Sequence, residues 1–123
     1  MFVLLRSNAF VRSARKVVKK QPQNAQNIQN TLELLCIDPF APQLRTHKLK
    51  GELKDSWACS AGYDLRIIFK FVDFEGTQAI LLESIGTHDE VYSSAIAVAH
   101  GCHKVSAFIA RSPLTIKVFW LYF

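Results

Sequence analysis

With 123 residues, half of them apolar and a fifth charged, the chain is long enough for one domain with a modest core and too charged for a membrane protein. Its three cysteines, Cys36, Cys59 and Cys102, form no CxxC pair, which argues against a disulfide framework, a zinc ribbon or a redox motif. The net charge of +5 is unevenly spread: residues 1–54 hold ten Lys or Arg and three acids, residues 55–92 two and seven, and residues 93–123 three and none. A basic half points to an anionic partner, nucleic acid first among them.

In chain order, Phe2 to Leu5 reads as a short strand. Arg6 follows at once, so no secretory signal is expected there; the longest uncharged apolar stretches, near residue 123, are too short to span a bilayer, and the expected compartment is the cytoplasm. Ser7 is placed to cap a helix in which Phe10, Ala14, Val17 and Val18 recur at helical spacing. Arg12, Arg15, Lys16, Lys19 and Lys20 take the opposite side. Gln21-Pro22 breaks that helix. A second helix carries Ala25, Ile28, Leu32 and Leu35 on one face and ends before Asp38-Pro39, because the residue before proline avoids the helical region. Two helices joined by so short a turn are expected to form a hairpin.

From Pro39 to Gly51 the chain reads as a loop, punctuated by Pro39, Pro42 and Gly51. Leu53 to Ser60 reads as a strand around Trp57, and Tyr63 to Val72 as the strongest strand of all. Its Tyr63, Leu65, Ile67, Phe69 and Phe71 alternate onto one face, while Asp64, Arg66, Ile68 and Lys70 take the other. Glu75-Gly76 is a turn into a partner strand from Gln78 to Ile85. The order strand, two helices, antiparallel meander defines an α+β class, with an N-terminal strand and a helical hairpin packed on a small sheet. A domain over residues 1–92 is expected, followed by an apolar extension over 93–123 to which no packing partner is assigned. Within that extension His100-Gly101-Cys102-His103 has metal-ligand residue types at a spacing that suits no common site, so no metal or other cofactor is expected.

Three segments stand in order along the first three quarters of the chain: His47-Lys48-Leu49-Lys50-Gly51, then Gly62-Tyr63-Asp64-Leu65-Arg66, then Gly86-Thr87-His88-Asp89-Glu90-Val91-Tyr92. Together they resemble the RelE/ParE toxin superfamily, and most closely its YafQ-like branch. The resemblance implies a toxin of a type II toxin–antitoxin system that cleaves mRNA on the ribosome and is held in check by a cognate antitoxin. It implies catalytic roles for His47, Asp64 and His88, with Tyr92 beside the base or phosphate. Lys48, Lys50, Lys54 and Arg66 are the expected phosphate contacts. Where the relative places a further histidine, before the central strand, this chain has Cys59-Ser60.

The residue types suit that chemistry on their own terms. An RNA 2′-OH can attack the adjacent phosphate, so the protein need only move protons and stabilise added negative charge. Histidine titrates near working pH and serves both proton transfers. Arginine and lysine stabilise the charge on phosphorus. No metal is required, because the RNA supplies the nucleophile. Two alternatives stay open: a non-enzymatic gyrase-binding inhibitor of the ParE kind, and an inactive copy. Asp64 has two readings as well, catalysis or a simple pairing with Arg66 two residues on.

Overall fold

Ser7 ends the first strand and begins the first helix. Its Oγ accepts from the Phe10 N–H (3.1 Å), satisfying one of the free donors of the helix start, and donates to the Glu83 carbonyl (3.1 Å). A computed structural model of the chain describes residues 2–51, 55–62 and 64–87, together with the backbone of the strand 105–110. The elements are β1 (Val3–Ser7), α1 (Asn8–Lys20), α2 (Asn24–Ile37), a 3₁₀ turn (Pro42–Leu44), β2 (His47–Lys48), β3 (Trp57–Gly62), β4 (Leu65–Phe74), β5 (Thr77–Gly86) and β6 (Val105–Ala110).

The helices form where the sequence predicts them. On α1, Phe10 and Ala14 are buried, and Val17 and Val18 pack against the core from its edge. On α2, Ile28, Leu32 and Leu35 are fully buried. The two helices lie on one face of the sheet, α1 chiefly over β5 and α2 over β3. None of the helices among the described residues is long and apolar enough to cross a membrane.

The sheet runs β2-β3-β4-β5-β1-β6. The middle of it is the predicted meander: β3, β4 and β5 are antiparallel in turn. The β4–β5 hairpin closes through Glu75 (φ 51°) and Gly76 (φ 78°), the double positive φ that matches a two-residue turn to strand twist. The first strand makes the sheet mixed, because β1 lies parallel to β5, Leu4 opposite Ile80. On its other side β1 pairs antiparallel with β6, so residues 105–110 of the extension form an edge strand beside the N-terminus.

Two differences from the sequence-based expectation concern the approach to β3. The stretch Pro39 to Gly51 is not all loop: it holds the 3₁₀ turn and the two-residue strand β2. Both are too short to carry a periodic signal. The strand around Trp57 runs on past Ser60 to Gly62, since Ala61 and Gly62 continue it toward β4 without any large side chain to announce it, while Leu53 and Lys54 lie outside the described residues.

The core lies between helices and sheet, where Leu4, Leu65, Ile67, Phe69, Ile80, Leu82 and Ile85 meet the buried stripes of α1 and α2. At one corner Phe2, Phe40, Trp57, Phe69 and Phe71 interlock, with ring centroids 5.3–5.9 Å apart in mostly edge-to-face contacts. A smaller cluster, Val3, Leu5, Ala79 and Leu81, lies on the opposite face of the sheet.

Candidate functional site

Directly opposed residues of an antiparallel pair share a face. The register pairs His47 with Ala58, Ala58 with Ile68, Ser60 with Arg66 and Arg66 with Gly86. His47, Ser60 and Arg66 therefore stand on one face, away from the helices. Lys48 pairs with Trp57, which packs into the helix-side core, so Lys48 leaves this face. Lys50 is exposed beyond the end of β2. Lys54, His88 and Tyr92 lie outside the described residues, as do Tyr63 and the His100-Gly101-Cys102-His103 run.

At the β3–β4 end of this face is an open cavity of about 480 Å³, lined by Arg45, Ser60, Gly62, Asp64 and Arg66. Asp64 does not sit on the strand face that the alternation predicted. It occupies the tight connection between β3 and β4 at φ 55°, a left-handed conformation that aspartate tolerates better than most residues, next to Gly62 at φ 137°. The turn still delivers its carboxyl to the same cavity as Arg66. Arg66 does not simply pair with Asp64: its Nη1 donates to the Leu65 carbonyl (3.0 Å) and to Ser60 Oγ (3.4 Å). Ser60 Oγ in turn donates to the Gly62 carbonyl (3.3 Å).

Arg45 is the cavity residue that sequence reasoning missed. It follows the 3₁₀ turn in a left-handed conformation (φ 51°), and its carbonyl lies 3.1 Å from His47 Nδ1. A carbonyl only accepts, so this contact requires the proton to be on Nδ1. Nε2 is then the nitrogen left to exchange a proton with a ligand. The signal for Arg45 was its place two residues before His47 in the run Arg45-Thr46-His47-Lys48.

The adjacent Cys59 and Ser60 divide between the two sides. Cys59 is fully buried in the helix-side core, and burial pushes its thiol up to about 12, with the Arg66 charge and a backbone hydrogen bond from Ile67 opposing weakly. A thiol held neutral in an apolar core takes no part in proton transfer at neutral pH. Ser60 is the member of the pair that reaches the cavity.

Beneath the same face the sheet holds a buried carboxyl. Ile68 faces Ser84 while Phe69 faces Leu82, so Glu83 is the extra residue of a bulge. Its Oε1 accepts from Ser56 Oγ (2.8 Å). Its Oε2 and Ser84 Oγ have no hydrogen-bond partner among the described residues, although both residues are about 1% exposed. No group of three or more metal-ligating side chains gathers among the described residues.

Two helices packed on a mixed sheet is the architecture of the RelE/YafQ-like toxins. YafQ from Escherichia coli strain BL21(DE3) superposes with a TM-score of 0.61 at 18% identity, over 75% of this chain and 99% of that one. A metal-bound toxin from Helicobacter pylori gives 0.61 at 26% identity, over 74% and 99%. The E. coli DinJ–YafQ toxin–antitoxin complex gives 0.59 at 20% identity, over 72% and 94%. No curated protein sequence matches the chain. The sequence profile of the YafQ family, described as a bacterial toxin of type II toxin–antitoxin systems, matches residues 3–93, and the chain belongs to that family.

Proposed function

We propose that this toxin is an endoribonuclease that cuts mRNA on the ribosome by promoting attack of an RNA 2′-OH on the adjacent phosphate, and that a cognate antitoxin neutralises it. The observation that carries the reading is the cavity that joins Arg45, Arg66 and Asp64 beside His47. Two guanidinium groups suit the extra charge that develops on phosphorus, and Arg66 is already oriented by Ser60 and the Leu65 carbonyl. His47, with its proton committed to the Arg45 carbonyl through Nδ1, presents Nε2 as the base. His88 is assigned as the acid that protonates the leaving 5′ oxygen, and Tyr92 as the ring beside the scissile nucleotide. Asp64 holds the charge balance of the cavity, and Lys50 and Lys54 track the flanking phosphates. Because the 2′-OH is the nucleophile, the reaction needs no metal-activated water. The solved DinJ–YafQ complex supports an antitoxin as the partner.

Expression of the chain alone in a bacterial host should arrest growth, with mRNA 5′ ends mapping inside translated codons. His88→Ala should relieve the arrest while the purified protein keeps its melting transition, since a general acid contributes on the order of a hundred- to ten-thousand-fold in rate. Arrest as severe with His88→Ala as with the wild type, or arrest with intact mRNA, would sink the nuclease reading.

A further inference from the structure

A second cavity, of about 310 Å³, adjoins the first and shares Ser60 and Gly62 with it. It lies between α2 and β3, and its other lining residues are Asn27, Asn30, Thr31, Leu34, Gln43, Leu44 and Ala61. Nothing in the cleavage chemistry uses it. Its composition is unlike that of its neighbour: three primary amides, no charged group, and an apolar side from the half-buried Leu34 backed by the buried Leu44 and Ala61. The amides retain free hydrogen-bonding capacity. Asn27 donates to Asn24 Oδ1 (3.3 Å) and Asn30 accepts from Gln26 (2.9 Å), while Asn27 Oδ1, Asn30 Nδ2 and the Gln43 amide have no partner among the described residues. The wall between the cavities is kept thin by Gly62. A Cβ there would lie 3.4 Å from the Asn27 amide nitrogen, and the φ of 137° disfavours any side chain.

We infer that the amide-lined groove is a nucleobase subsite, taking the base of a nucleotide whose phosphate lies in the Arg45–Arg66 cavity. The volume is at the lower end of small-ligand sites, roughly 300–1,000 Å³. A base needs an apolar surface for its ring and paired donors and acceptors for its edge, and Leu34, and Asn27 with Asn30 and Gln43, supply these in turn. Amides are the side chains that match a base edge with one donor and one acceptor at once. A peptide or an acidic ligand would leave the adjacent guanidinium cavity, or the uncharged amides, without a role.

The inference rests on the proposed RNA reading, and the test separates the two. Affinities of the full chain for short single-stranded homopolymers of the four ribonucleotides would be measured against salt, for wild type, Asn27→Ala/Asn30→Ala and Arg45→Ala/Arg66→Ala. Both asparagines are on α2 and alanine favours helix, so the first variant should keep its melting transition. It should weaken the preferred homopolymer roughly tenfold, level the differences among bases and leave the salt slope alone, since amide–base contacts carry discrimination and not counterion release. The arginine variant should flatten the salt slope by about 0.7 for each phosphate no longer neutralised and leave the base preference in place. Adenosine 5′-monophosphate, but not ribose 5′-phosphate, should shift the Asn27 and Asn30 side-chain amide resonances. Unchanged base preference in the asparagine variant, or equal shifts with ribose 5′-phosphate, overturns the base subsite while the phosphate cavity stands. An unchanged salt slope in the arginine variant overturns the phosphate cavity, and the base subsite with it.

Discussion

Both faces of the sheet bury apolar side chains, and the face away from the helices adds a buried carboxyl. Toward the helices, Leu65, Ile67, Phe69, Ile80, Leu82 and Ile85 pack with apolar side chains of α1, α2 and β1. Away from them, the fully buried Ile68 stands beside Ser84 and Glu83, and the polar groups there are satisfied only in part. Apolar burial stabilises in proportion to the area removed from water, whereas a buried carboxyl oxygen without a partner costs free energy. The helix side thus supplies the larger apolar cluster, and the other side carries a smaller one together with polar groups kept at the expense of stability, which is the expected signature of a surface kept for chemistry.

The contrast is broken most severely from the helix side. Phe69→Ala removes a fully buried ring that both packs on the helices and meets Phe71, 5.7 Å away between centroids. It should lower unfolding free energy by about 3–5 kcal/mol, read from urea or thermal melts, and abolish growth arrest through loss of fold. A loss under about 1 kcal/mol would mean that the helix-side packing is not what holds the sheet.

On the opposite face, Ser56→Ala takes away the donor to Glu83 Oε1 and leaves the carboxyl buried with neither oxygen bonded. The expected cost is about 1–3 kcal/mol. Adding Glu83→Leu to that variant should recover most of the loss, because replacing both partners by apolar groups is close to neutral. Failure of the double variant to recover would show that the carboxyl stabilises through some other contact.

The smallest effect sharpens the comparison within a single strand, where Cys59 faces the helices and Ser60 the cavity. The Cys59 thiol is held up at about 12 in the folded chain, against about 8.5 when unfolded. Between these values the native state binds more protons than the unfolded one. The stabilising contribution is therefore complete below about 8.5 and is lost as pH rises from there toward the folded value. Melting temperatures from pH 7 to 10 should fall less in Cys59→Ala than in the wild type. Parallel declines in the two proteins would place the thiol in contact with solvent.

The elements with a repeating signal are legible in the sequence alone: α1 and α2 from apolar spacing, the Ser7 cap and two prolines, β4 from alternation, and β5 as its partner across Glu75-Gly76. Features decided by distant neighbours were not. Nothing local tells β1 to lie parallel to β5, or turns Glu83 inward, since a lone acid in an apolar strand reads as a solvent-facing residue until a bulge changes its direction. The candidate site divides in the same way. His47, Asp64 and Arg66 were named from ordered motifs; His47 and Arg66 share a strand face, and Asp64 stands in the β3–β4 turn, where it lines the cavity with Arg66. Lys48 was named with them and leaves that face, because register, and not nearness in sequence, decides which side a strand residue takes. Arg45 was missed although it stands two residues before His47, because that nearness becomes a contact only through the left-handed turn at Arg45.

The position of β1 bears on how the chain comes to be folded at all. Strand β1 is an inner strand of the finished sheet, and its parallel partner β5 follows much later in the chain, as the Ser7–Glu83 bond across 76 residues records. Helices α1 and α2 close by local contacts, but the N-terminal strand has to wait, and contacts of such long range slow folding. Its other neighbour, β6, is later still. Synthesis from the N-terminus therefore cannot release a working toxin in stages: every partial chain short of β5 has an unpaired apolar first strand, open to aggregation, proteolysis or capture.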